Sequence, residues 1–283
     1  MIISKITSGL GNQLFQYALG RTLSLQHQTP LKLDLTNFNL YKNRKFSLNH
    51  FKLDYKEATA EEIAFFTKEN HIFKQVFKPF YKRKYLKERM FAFDKQISRS
   101  GDNVYLQGYW QSENYFKSTE ATLRQDFKFR NPPSANASKV AEKMNVSTAV
   151  SLHIRRGDYV SNPAIARTHG VLPIGYYQNA IKIMASQVEN QHLFIFSDDL
   201  VWTKTNLNTS FPITYVENNT DVDDLWLMSQ CKHHIVANSS FSWWGAWLNP
   251  NTDKLVLTPK RWFLSEKYNP KDIIPESWQK IAY

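Results

Sequence analysis

Five apolar runs recur at a regular interval through the second half of the chain: 148–154 (TAVSLHI), 192–196 (HLFIF), 213–216 (ITYV), 233–237 (HHIVA) and 254–258 (KLVLT). The stretches between them predict helices at about 174–188, 199–206, 221–231 and 241–248. Strands alternating with helices at this spacing imply a parallel sheet built from crossover units. Polar clusters stand just past three of these strands: 153–159 after the first, Ser197, Asp198 and Asp199 after the second, and 238–242 after the fourth. Ligands of open parallel sheets bind outside the carboxyl ends of the strands, so the three clusters predict a site along one edge.

The opening of the chain has a related pattern. A strand at 2–7 (IISKIT) runs into Ser8-Gly9-Leu10-Gly11-Asn12-Gln13. A helical segment follows, with Leu14, Ala18 and Leu25 on one row and Phe15 and Leu19 beside it. Strand, glycine turn and helix is how a Rossmann-like domain begins. Residues 40–130 read as helical and aromatic, with a short strand near 104–106. The stretch 131–138 (NPPSANAS) sets two prolines among small polar residues and reads as a linker. The expected division is an N-terminal domain, 1–135, and a C-terminal domain, 136–283.

Composition narrows the class. A hydrophobic content of 42% over 283 residues supplies ample cores and excludes global disorder. The 19 Phe, 14 Tyr and 8 Trp suit sugar platforms, but cores use such rings too. The single cysteine, Cys231, excludes an internal disulfide and fits a reducing compartment. No leader pattern opens the sequence and no run approaches a bilayer span, so a cytoplasmic location is expected. Net charge is +11, with eight Lys or Arg between 67 and 89. That stretch suits either a solvated helical face or a patch peripheral to an anionic membrane. No nucleic-acid motif accompanies it, so a nucleic-acid partner is not expected.

Chemistry concentrates in a few segments. In 153–159 (HIRRGDY), adjacent guanidiniums at a strand end suit a diphosphate, because each planar fork makes paired charge-assisted hydrogen bonds. Neighbouring side chains on a strand face opposite ways, so one arginine is expected on the ligand and the other as a brace. Asp158 can pair with either, and an Arg–Asp bridge shaping a turn explains the segment equally well. In 238–247 (NSSFSWWGAW) a strand ends in small hydroxyl residues that open a helix, where free amides make an anion site. Ser239 or Ser240 can also be simply the cap, and the tryptophans simply core. The Ser8–Gln13 turn is shorter than a dinucleotide fingerprint, and no P-loop occurs. Asp221, Asp223 and Asp224 sit where acids complement a helix start, which competes with a metal-site reading. No convincing zinc spacing is present.

These segments resemble the α-1,2-fucosyltransferases of glycosyltransferase family 11. The likeness is carried by 9–17 (GLGNQLFQY), 108–112 (GYWQS), 153–159, 196–199 (FSDD) and 239–248 (SSFSWWGAWL), in the family's order. It implies a GT-B-like α/β architecture, two Rossmann-like domains facing each other across a cleft. It also implies a metal-independent, inverting transfer of L-fucose from GDP-fucose to the 2-hydroxyl of a terminal galactose on an oligosaccharide. Residue by residue, the resemblance points to Arg155 and Arg156, at least one of them on the β-phosphate. It further implies donor contacts from His153, Asn238, Ser239, Ser240 and Phe241, and places Asp224 on guanine. Gly11, Asn12 and Gln13 match its N-terminal motif. The base is left open among Asp158, His169 and Glu113. Rival readings are a GT-B transferase using another donor, and a non-catalytic basic binding module.

Overall fold

The structure is a computed structural model that describes residues 1–40, 44–68, 78–265 and 268–283. The chain divides into two compact units, Met1–Arg130 with Asn269–Ile273, and Asn131–Tyr268 with Ile274–Tyr283.

In the first unit, β1 (Ile2–Lys5) leads into α1 (Leu10–Gln26), β2 (Leu31–Asp34) and α2 (Thr36–Leu40). Then come β3 (Lys56–Glu57), α3 (Ala60–Thr67), β4 (Tyr85–Lys87), β5 (Val104–Gln107) and α4 (Glu120–Asp126). The five strands are all parallel, in the order β3-β2-β1-β5-β4. Ile2, Ile3 and Ser4 are wholly buried because β1 lies in the middle of that sheet. Helix α1 is buried almost all round, Gln13 and Gln16 included. Such burial requires that both amides be hydrogen-bonded.

The middle of the chain differs from its helical reading. Among the described residues it holds two helices, three short strands and several single 3-10 turns. Its aromatics pack in pairs between loops, as Phe51 does with Phe127 and Phe129, instead of lining a helix stripe. The basic stretch 67–89 is affected as well. Residues 69–77 lie outside the described residues, but 78–89 form a 3-10 turn and the edge strand β4, not a helical face. Lysines on a sheet edge discourage pairing with other strands.

In the second unit α5 (Ala135–Asn145) precedes β6 (Thr148–Ile154), α6 (Gly157–Ser161), α7 (Pro163–His169) and α8 (Ile174–Gln187). There follow β7 (Gln191–Ser197), α9 (Leu200–Asn206), β8 (Ile213–Tyr215), α10 (Asp221–Gln230), β9 (His233–Ile235), α11 (Ser240–Leu248), β10 (Val256–Pro259) and β11 (Gln279–Ile281). The expected strands and helices appear to within a residue or two. The linker reading of 131–138 holds for 131–134, beside the boundary between the units, but not for 135–138, which open α5 with Ser134 as its cap, accepting from the Ala137 amide. Small polar residues favour helix starts as strongly as loops.

The second sheet is also wholly parallel, β11-β10-β9-β6-β7-β8. Alternate residues feed two cores. Val150, Leu152, Ile154, Leu193 and Ile195 pack with Tyr176, Ala180 and Met184 of α8. Ala149, Phe194 and Phe196 pack with Ala137 and Met144 of α5 and Leu227 and Met228 of α10. Between β6 and β9 a buried polar line fixes the strands. Ser151 Oγ meets His234 Nδ1 at 2.8 Å, and His234 Nε2 meets Asn249 Nδ2 at 2.7 Å. Among the described residues no helix is long and apolar enough to cross a membrane.

Candidate active site

The strand order of the second sheet reverses at one place. From β6 the order runs to β7 and β8 on one side, and to β9, β10 and β11 on the other. A switch point of this kind opens a crevice at the carboxyl ends of the two central strands. Those ends run through Arg155 and Arg156 into α6 after β6, and through 236–239 into α11 after β9.

The two arginines part company there. Arg155 spans two carboxylates, with Nη2 2.6 Å from Asp158 and Nη1 2.8 Å from Asp198, and its guanidinium carbon is 5.5 Å from the Tyr159 ring centre. Arg156 turns to α9, with Nε 3.0 Å from Asp199 and its guanidinium carbon 3.8 Å from the Trp202 ring centre. Its backbone amide donates to Asp198 Oδ1 at 2.8 Å. The Arg156 pairing, with the Trp202 amide, holds the Asp199 carboxyl below its ordinary range. A Cβ on Gly157 would lie 2.5 Å from Asp198 Oδ2, so only glycine lets the loop close on that carboxylate.

From the β9 side, Asn238 is buried and its amide donates to the carbonyls of His169 (2.9 Å) and Trp262 (3.2 Å). Its Oδ1 is buried and has no hydrogen-bond partner among the described residues. Tyr159 joins the two loops: its hydroxyl donates to the Asn238 carbonyl at 3.0 Å and lies 3.2 Å from His169 Nδ1. Ser239 caps α11 by accepting from the Phe241 amide, and Ser240 is its first residue. Trp243, Trp244 and Trp247 are buried, so the core reading of these rings holds.

His153, one residue before the end of β6, is buried. Burial first, then the Arg155 charge, lower its pKa to about 3, so the ring is neutral, with a tilted contact to Phe241. Asp224 occupies the first turn of α10 and accepts from Asn219 Nδ2 at 3.2 Å. Burial raises its pKa to about 7. Asp223 accepts from the Ser134 and Thr220 amide and hydroxyl donors, as a helix-start residue does. Among the described residues no group of three or more His, Cys, Asp or Glu is placed to hold a metal ion.

The first unit has its own switch point, between β1 and β5. Ser8 and Trp110, which flank it, both adopt left-handed backbone, at φ 67° and 57°. Non-glycine residues hold that conformation only where their surroundings impose it. Of the N-terminal motif, Gly11 is buried in α1 and Asn12 Oδ1 accepts from Gln111 Nε2 at 2.7 Å. Gln13 is fully committed: Nε2 donates to the Ser8 and Lys45 carbonyls, and Oε1 accepts from the Ser47 amide. Glu88 takes the Tyr109 amide at 2.6 Å and the Trp110 amide at 3.0 Å. Nothing in the sequence singled out Glu88, because it stands among the basic residues of 67–89. Tyr159 lies within the 153–159 segment, but nothing in the sequence gives its hydroxyl a linking role.

The profile of Glycosyl transferase family 11 matches residues 7–282. The chain belongs to glycosyltransferase family 11. This family 11 protein is 36% identical to an α-1,2-colitosyltransferase of Escherichia coli over 99% of either chain. It is 34% identical to the O-antigen biosynthesis glycosyltransferase WbnK of Escherichia coli, over 97% of this chain and 98% of the other. A bovine galactoside 2-α-L-fucosyltransferase, SEC1, aligns at 27% identity with 52% of this chain and 43% of its own. Among solved structures, NodZ α-1,6-fucosyltransferase soaked with GDP-fucose superposes with a TM-score of 0.54 at 14% identity, over 88% of this chain and 92% of that one. The family 11 protein therefore has the GT-B fold that the family resemblance implied.

Proposed function

We propose that this glycosyltransferase moves L-fucose from GDP-fucose to the 2-hydroxyl of a terminal galactose, inverting the anomeric centre without a metal ion. The reading rests on Arg155 and the Ser239-capped start of α11, brought to the ends of adjacent strands and joined through Tyr159. As the bond to the diphosphate breaks, charge grows on the β-phosphate. A guanidinium and backbone amides already aimed at that charge lower the barrier, each such donor by about 3 kcal/mol. Asp224 accepts from guanine N1–H and its exocyclic amine. Family 11 membership and the relatives' printed activities favour transfer over a non-catalytic basic module.

A second donor has specific support. The α-1,2-colitosyltransferase aligns end to end with this chain, and colitose is fucose without its 3-hydroxyl. The deciding experiment incubates the protein with GDP-fucose, GDP-colitose, GDP-mannose or UDP-galactose, in the presence of a chelator, over a panel of galactosides. NMR then assigns the linkage. Fucose in α-1,2 linkage is expected. Turnover of another donor alone, or an absolute need for a divalent ion, overturns the proposal.

A further inference from the structure

Three residues can serve as base in an inverting transfer, and the structure separates them. Asp158 is 2.6 Å from the Arg155 guanidinium and engaged there. Glu113 lies in the first unit, opening the 3-10 turn Glu113–Tyr115. His169 ends α7, and its carbonyl is held by the Asn238 side chain at the end of β9. Gly170, at φ 70°, lets the chain turn immediately after it.

The tautomer of His169 follows from its neighbours. The Asn238 carbonyl can only accept, so the Tyr159 hydroxyl proton points to it. The Tyr159 oxygen is then left to accept from His169, which puts the ring proton on Nδ1. Nε2 therefore carries the lone pair, and no hydrogen bond to it is found among the described residues. The half-buried ring stacks 4.8 Å from the Tyr159 ring centre, the same ring that Arg155 contacts. Phe263 closes its other neighbourhood edge-on at 5.2 Å.

Resting on the transfer reading above, we propose that His169 is the general base of this reaction, its Nε2 taking the proton of the attacking acceptor hydroxyl. The acceptor oxygen forms its bond to the anomeric carbon. The bond from that carbon to the β-phosphate oxygen breaks, and its electron pair leaves on GDP. The hydroxyl proton moves to Nε2, giving an imidazolium that the Tyr159 oxygen supports at Nδ1–H, and water later takes the proton away. Charge balances, since GDP gains one negative charge and the ring one positive.

Among the described residues the charged and titratable groups around the ring are Asp158 and Arg155 from the α6 side and the neutral Tyr159 phenol. Asn238, Phe263 and Leu264 complete the surroundings, and Arg261 is bonded to the Phe263 and Leu264 carbonyls. Burial depresses the ring's pKa, Asp158 opposes this and Arg155 adds to it. Nε2 is thus free of a proton at neutral pH. Turnover should rise with pH through a single ionisation lying below the ordinary histidine value of about 6.5.

His169→Asn keeps an amide N–H within reach of Tyr159 but has no basic nitrogen. In the full chain it is expected to lower kcat about 10²–10⁴-fold, leave GDP affinity unchanged in calorimetry, and abolish the acid limb of the kcat profile. A folded variant that keeps its turnover overturns the assignment. So does one that loses turnover yet retains the acid limb, which marks a structural role. The unmodified protein gives a check free of folding effects, because a kcat that is flat across the acid range also overturns it. If the unmodified chain transfers no sugar at all, the transfer reading itself fails; if it transfers and His169→Asn transfers equally, only the base assignment does.

Discussion

Trp202 and Arg156 are in direct contact, the guanidinium carbon lying 3.8 Å from the centre of the ring. The same guanidinium bonds Asp199, so Arg156 is anchored on α9 while its neighbour Arg155 faces Tyr159. Substitution by lysine should therefore separate the two. Arg155→Lys keeps the charge but loses the fork, and is expected to cut kcat by about 10²–10³-fold with little change in stability. Arg156→Lys loses the stacked plane and is expected to cost about 1 kcal/mol of stability with a smaller kinetic effect. Steady-state kinetics and chemical denaturation of the two variants check this. Equal kinetic losses would show that both arginines act on the donor.

Gly157 and Asp198 are coupled by space. Since a Cβ at 157 would stand 2.5 Å from Asp198 Oδ2, Gly157→Ala must displace the carboxylate that Arg155 and the Arg156 amide share. A loss of about 1–2 kcal/mol in GDP affinity or stability is expected. Removing the obstacle with Asp198→Ala should make the second substitution nearly neutral. A double-mutant cycle measures this, and additive losses would mean that the contact does not govern the loop.

The second unit was legible in the sequence because its central strands β6 and β7 are buried on both faces and read as nearly continuous apolar runs. The runs at 148–154 and 192–196 have almost no competing reading, and the polar clusters after them lie at the strand ends. The first unit was not. β2 and β4 are short runs of apolar and charged residues, LKLD and YLK, and their pairing depends on β1 and β5 far away in sequence. The same distance hid Glu88, whose two donors lie about twenty residues further on. Local spacing put Asp158 within reach of either arginine, but the choice of Arg155 and the split between the two come from Asp198, Asp199 and Trp202, which only the fold brings near.

On the proposed reading, in which Asp224 meets guanine, donor recognition depends on pH. Burial holds its carboxyl at about 7 in the free protein, and only the ionised form can accept both guanine donors. GDP affinity is expected to weaken as pH falls below 7. Asp224→Asn should bind GDP about 10–100-fold more weakly, with no pH dependence from this group. Calorimetric titration across this range provides the check. An unchanged affinity in the variant would remove Asp224 from guanine recognition.

Glu88 carries a pH effect of the opposite consequence, on stability. Two amides favour its ionised form, but burial of the carboxyl outweighs them and raises its pKa from an ordinary 4.5 to about 7. Between those values the unfolded chain has released this proton while the folded chain still holds it. Folding is therefore favoured at low pH, and the advantage is lost as pH rises toward 7. The loss is on the order of 2 kcal/mol, after allowing for solvent screening of a partly exposed residue. Glu88→Gln removes this ionisation, while the effect of Asp224 is common to both proteins and cancels in their difference. The stability of the unmodified protein relative to Glu88→Gln should thus decline by that amount between acid and neutral pH. Urea denaturation of the pair at both ends of the range measures it, and parallel curves would mean that Glu88 ionises as an ordinary surface carboxylate. Because the same carboxylate takes the Tyr109 and Trp110 amides, a measured decline would also place the strained Trp110 turn under control of a single proton.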